Sequence, residues 1–131
     1  MSETRKPWHG VLVATSLQFN DDLSIDFGAY GENVAWLAEQ GLHGVAPNGS
    51  LGEYQTLTDE ERDQVVRTAV ENAPEGFTVM PGVGAYGGLQ SKRHAEVARD
   101  LGCQAVMGLP PNAYRTDERS LLEHFELIAS A

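Results

Sequence analysis

Four short apolar runs, each followed by a charged stretch of helical spacing, recur along this 131-residue chain, and that repetition fixes the fold class. The runs begin near residues 11, 44, 78 and 105, roughly 27–34 residues apart, the length of one strand-plus-helix unit. Strands joined by helices of this size lie parallel and are covered on both faces, which explains runs such as Val11-Leu12-Val13-Ala14 and Gly44-Val45-Ala46-Pro47 that alternate with nothing polar. The third and fourth runs are Thr78-Val79-Met80-Pro81 and Ala105-Val106-Met107-Gly108. The expected architecture is α/β, a parallel (βα)4 unit making up a single domain over residues 1–131.

The helices announce themselves by spacing and by their ends. Phe27, Tyr30, Val34, Leu37 and Ala38 make one stripe behind a cap at Asp26. Thr58-Asp59-Glu60-Glu61 is a capping box that opens a second helix, whose inward face is Val65, Val66, Ala69 and Val70. A third helix places His94, Val97, Ala98 and Leu101 on one side, and the last carries Leu121, Leu122, Phe125, Ile128 and Ala129. Helices one and three leave through Gly41 and Gly102, each where a helix end wants a left-handed residue.

Charge narrows the function classes. Nine Lys and Arg against 19 Asp and Glu give a net charge of −10, the wrong sign for a nucleic-acid footprint or a basic membrane-surface helix. It also offers no long-range attraction to an anionic substrate, so binding would rest on short-range amides and hydroxyls. The longest charge-free stretch, Gly76 to Ser91, holds five glycines and a proline and reads as no membrane span. One cysteine, Cys103, excludes an internal disulfide framework and a multi-cysteine zinc site, and the N-terminus leads into no apolar signal core. A cytoplasmic protein is expected.

In a parallel α/β fold, ligands bind at the carboxyl ends of the strands, which selects four loops. Gly49-Ser50-Leu51-Gly52 can turn successive amides toward one anion, with the Ser50 hydroxyl as a further donor; the alternative is a glycine-rich turn that holds nothing. Gly82, Gly84 and Gly87 spell G-x-G-x-x-G, yet the ribose-binding acid expected about 20 residues on is replaced by Met107-Gly108-Leu109, so no nicotinamide or flavin cofactor is expected. The fourth loop offers Asn112, Tyr114 and Arg115, with Arg115 able to pair an anion and Tyr114 able to relay a proton, or else simply a solvated turn before the last helix. His9, His43, His94 and His124 lack ligand spacing, so no metal site is expected, and His94 and His124 read as helix-surface or core-edge residues. Cys103 sits in a helix-to-strand turn away from these loops and is not expected to be a nucleophile.

Taken in order, these loops carry a resemblance. Asn48-Gly49-Ser50-Leu51-Gly52-Glu53, with Leu57-Thr58 and Glu60-Glu61-Arg62 behind it, resembles the G-[ST]-[ST]-G-E signature of the dihydrodipicolinate synthase / N-acetylneuraminate lyase family. Ser24-Ile25-Asp26, Pro81-Gly82-Val83-Gly84, and Pro110-Pro111 with Phe125 14 residues later are similar to the same family, so the resemblance runs from about residue 10 to 129. It implies half of a (β/α)8-barrel lyase, an enzyme that needs no cofactor because a lysine forms a Schiff base with pyruvate or another 2-oxo acid and the protonated imine accepts electrons. It further implies that Gly49, Ser50 and Leu51 hold the substrate carboxylate and that Ser50 joins a proton relay.

Three departures from the family pattern stand out. Leu51 occupies the second hydroxyl position, so one bond to the carboxylate, worth about 1.5–3 kcal/mol for a charged partner, is lost or supplied elsewhere. Asn112 and Ala113 stand where synthase members carry tyrosines, with Tyr114 one residue out of register, which points to another aldolase or dehydratase branch. The Schiff-base lysine and its partner tyrosine belong to later strands of the family, beyond residue 131; the two lysines here, Lys6 and Lys92, precede the first strand and sit in the third helix. The expectation is an N-terminal half-barrel, inactive alone, that self-associates or takes a complementary half-barrel. The alternatives are a non-catalytic binding or assembly module and a truncated inactive fragment.

Overall fold

The computed structural model describes residues 6–111 and 113–131. Three parallel strands, β1 (Leu12–Ala14), β2 (Gly44–Ala46) and β3 (Thr78–Val79), form one sheet in sequence order. Leu12 pairs with Gly44 and Gly44 with Thr78, so the register runs straight across the sheet. Helices α1 (Phe27–Glu39), α2 (Asp59–Asn72) and α3 (Gly88–Asp100) each follow one of these strands, and α4 (Glu118–Ala129) follows the fourth apolar segment. None of the described helices is long and apolar enough to cross a membrane.

The fourth strand differs from expectation. Instead of a strand over Ala105–Gly108, one parallel bridge joins Met107 to Gly82. Two backbone bonds hold it, from the Met107 amide to the Pro81 carbonyl at 2.9 Å and from the Val83 amide to the Met107 carbonyl at 3.0 Å. Proline explains the shortness. Pro47 and Pro81 follow β2 and β3 and have no amide to donate, so the regular ladders stop there while their carbonyls carry the pairing one step further. The fourth segment also has no described neighbour on its outer side to extend it.

The core lies where α1 and α2 cover the sheet. Tyr30, Val34 and Leu37 pack with Val65, Ala69, Val45 and Val79, while Phe27, Ala38 and Val70 sit at the margin of the cluster. A smaller cluster of Val83, Ala95 and Ile128 joins α3 and α4. Both helix exits close alike: Gly41 and Gly102 adopt φ of 81° and 85°, and the following amides of Leu42 and Cys103 donate back to Leu37 and Ala98. The Thr58 capping box is formed from both sides, with the Thr58 amide donating to Glu61 Oε2 and the Glu61 amide to Thr58 Oγ1.

The last helix turns differently from its sequence pattern. Ile128 is buried, but Leu122 and Phe125 are 58% and 41% exposed, because no described residue covers that side. The third helix buries Ser91, His94, Ala95 and Ala98 rather than Val97 and Leu101, which are only partly covered. His94 and His124 are both buried instead of surface or edge residues. His124 is held there by its Nε2 at 2.9 Å from the Leu109 carbonyl and by an edge-on contact with the Phe125 ring.

Candidate active site

The carboxyl ends of all four strand segments converge on the loop that carries Ser50. Ser50–Gly52 is one 3₁₀ turn and Tyr54–Thr56 a second, joined by Glu53 in the left-handed region at φ 52°. Asn48, just ahead of them, is also left-handed at φ 57°, a conformation its short polar side chain tolerates. A Cβ added at Gly52 would lie 3.2 Å from the Thr15 carbonyl behind β1, and one at Gly49 would lie 3.6 Å from the Met107 methyl of the fourth segment. The loop therefore spans the mouth of the sheet from first strand to last.

Within the loop, the Gly52 and Glu53 amides are committed to the Gly49 and Ser50 carbonyls at 3.0 and 3.1 Å. Ser50 and Leu51 open the turn, so their amides lie where a 3₁₀ turn has no internal acceptor for them. Gly49 is buried, whereas Ser50 is exposed and Leu51 is 63% exposed. Thr15, buried at the end of β1, turns its hydroxyl away to the Tyr30 hydroxyl at 3.0 Å. Burial pushes the Tyr30 phenol up to about 12, so it stays protonated and serves the packing.

Two residues missed by sequence reasoning fasten this loop. Asn48 is buried and donates its side-chain amide to the Arg62 carbonyl at 3.0 Å. Arg62, 5% exposed on the first turn of α2, donates to the carbonyls of Gly84 at 3.1 Å and Gly82 at 3.2 Å. Its guanidinium also lies 5.1 Å from the centre of the Tyr54 ring. Burial pulls the Arg62 guanidinium below its ordinary value, with Asp59, Tyr54 and Asp63 opposing the shift. The available signal was positional: Arg62 falls on the same stripe as Val65, Val66 and Ala69, an inward place for a cation.

Beside the loop, between α2 and α3, a cleft of about 150 Å³ is lined by Tyr54, Arg62, Gly84, Tyr86 and His94 among others; Ser50 does not reach it. His94 is lowered to about 4, first by burial and then by the Arg62 charge. Its ring is neutral at ordinary pH, in keeping with Nδ1 accepting from Arg93 Nη1 at 3.3 Å. Arg93 holds Asp63 through two bonds, of 3.1 and 2.6 Å.

The remaining candidates do not join the loop. Tyr114 is 78% exposed and Arg115 is exposed, and among the described residues neither bonds to the Ser50 turn. Asn112 lies outside the described residues. Burial pushes the Cys103 thiol up to about 11, which leaves it an inert thiol in its turn. Of the fingerprint glycines, Gly82 has the Asn48 backbone pressed against it while Gly87 has room.

The sequence profile of the dihydrodipicolinate synthetase family matches residues 7–131. The chain belongs to that family. An uncharacterised DapA-like lyase of Halobacterium salinarum is 34% identical over 94% of this chain and 40% of its own length. A probable 5-dehydro-4-deoxyglucarate dehydratase of Rhodococcus jostii is likewise 34% identical, over 93% of this chain and 40% of that protein. A solved prophage protein of the dihydrodipicolinic acid synthase family from Escherichia coli K12, in complex with pyruvate, superposes with a TM-score of 0.87 at 24% identity, over 92% of this chain and 41% of that one. This member of the dihydrodipicolinate synthetase family thus spans about 40% of the length of the curated relatives it matches, the N-terminal half of a (β/α)8 barrel.

Proposed function

We propose that this chain supplies the carboxylate-binding half of a Schiff-base lyase acting on pyruvate or another 2-oxo acid. The observation that carries the reading is the position of Ser50: exposed at the opening of a turn that the ends of β1, β2 and the fourth segment all touch. There the Ser50 hydroxyl and the Ser50 and Leu51 amides would hold the substrate carboxylate beside Gly49, and the hydroxyl would pass a proton to or from the reacting carbon. Leu51 contributes an amide only, which makes the carboxylate site one hydroxyl poorer than the family signature.

The amine that attacks the 2-oxo carbon comes, on this reading, from a complementary half-barrel. Loss of water from the addition product gives a protonated imine, and that imine draws off the electron pair of the bond being broken without any cofactor. Neither lysine of this chain suits the role: Lys6 precedes β1, and Lys92 lies on α3 with its amine 3.9 Å from Glu96. The same observation favours the second reading, a non-catalytic half-barrel that binds a small carboxylate or serves assembly. Tyr114 and Arg115 would take part only if the fourth loop folds toward the mouth when the barrel closes. The lone, unreactive thiol suits a cytoplasmic setting.

Ser50→Ala tests the assignment in a barrel reassembled from this chain and a complementary half. Weaker binding of pyruvate, by about tenfold to a hundredfold for the loss of a hydrogen bond to a charged group, is expected. Unchanged affinity would overturn the carboxylate site.

A further inference from the structure

We propose that Arg62 is a positioning residue for the Ser50 turn, setting its geometry through backbone contacts without touching substrate. The proposal rests on Ser50 as the carboxylate's partner. A buried cation ordinarily pairs with a carboxylate. Among the described residues Arg62 has no such ion pair: Asp63 is held by Arg93, and Asp59 faces His94 at 3.4 Å. Its charge is met instead by two carbonyls of the loop behind β3, those of Gly82 and Gly84, and by the Tyr54 ring.

These contacts close a ring. Arg62 donates to the Gly82 carbonyl, the Gly82 amide donates to the Pro47 carbonyl at 2.8 Å, and Asn48, bonded covalently to Pro47, donates back to the Arg62 carbonyl. The Ser50 turn emerges from this ring at Asn48, held by the main-chain carbonyl of Arg62, and returns to the Arg62 guanidinium at Tyr54. A residue that only fastened α2 to the sheet would have no reason to hold two separate mouth loops in register. The planar fork is what allows two carbonyls to be met at once, and lysine cannot reproduce it.

The test is amide hydrogen exchange and pyruvate titration by NMR on the full chain, comparing wild type with Arg62→Met and Arg62→Lys. Arg62→Met should speed exchange at Gly52, Glu53 and Gly82 by about tenfold or more relative to Val34 and Leu37 of α1. Arg62→Lys should recover part of that protection, and the pyruvate-induced shift of the Ser50 amide should weaken and recover in the same order. Uniform acceleration across the chain, or none at the turn, would overturn the proposal; if Arg62→Met does not fold, Arg62→Lys is read by the same criterion. Selective acceleration in Arg62→Met, with a wild-type Ser50 amide that ignores pyruvate even in the reassembled barrel, would retain the positioning role and sink the carboxylate reading on its own.

Discussion

Gly82 lies against the backbone carbonyl of Asn48 so closely that a Cβ at position 82 would sit 2.3 Å from that oxygen. Two loops from neighbouring strands meet there, and only a residue without a side chain permits the approach. Gly82→Ala must push one backbone off the other, at a cost of about 1–3 kcal/mol. Gly84→Ala is the matched control, since its Cβ would meet the Tyr54 hydroxyl at an ordinary 3.4 Å. Urea unfolding of the two variants should show a large loss for the first and a small one for the second. Equal losses would contradict the packing account.

His94 predicts how stability depends on pH. Buried on α3, it faces Asp59 and Asp63 from α2, with Arg62 and Arg93 near enough to oppose its protonation. Its folded value of about 4 lies below the ordinary 6.5, so the unfolded chain binds the extra proton first. The stabilisation is fully present above pH 6.5 and is lost as pH falls toward 4. His94→Gln should flatten that part of the profile relative to wild type, read as urea midpoints at several pH values. Parallel profiles would show that His94 titrates normally in the folded chain.

The open flanks of the sheet predict association. β1 and the Met107 segment have no described partner on their outer sides, and Leu122 and Phe125 of α4 remain in solvent. Unpaired strand edges and uncovered apolar side chains recruit another chain. Sedimentation at rising concentration should show self-association, or a defined complex once a complementary half is added. Leu122→Asp with Phe125→Asp should shift either toward the monomer. A stable monomer that ignores the complementary half would contradict the half-barrel reading.

What could be read from the sequence was local. The Thr58–Glu61 box, the Asp26 cap and the two glycine exits each span a few residues, and each is present in the structure. The Ser50 loop was legible as glycine-rich, but its 3₁₀ form and the left-handed Asn48 and Glu53 depend on what the loop packs against. The helical stripe marks Arg62 as inward-facing, but the partners it and Asn48 reach, 14 to 22 residues away, follow from no spacing rule. The fourth segment is cut to one bridge by Pro81, which has no amide to pair, and like the uncovered face of α4 it lies at the flank where no described residue stands beside it.

Borohydride reduction with pyruvate, followed by intact mass measurement, tests the central claim most directly. The chain alone should gain no pyruvate-derived mass on Lys6 or Lys92. Mixed with the C-terminal remainder of a relative such as the Halobacterium salinarum lyase, the adduct should appear on that partner, and Ser50→Ala in this chain should reduce it. A covalent adduct on Lys6 or Lys92 of the chain by itself would contradict the account.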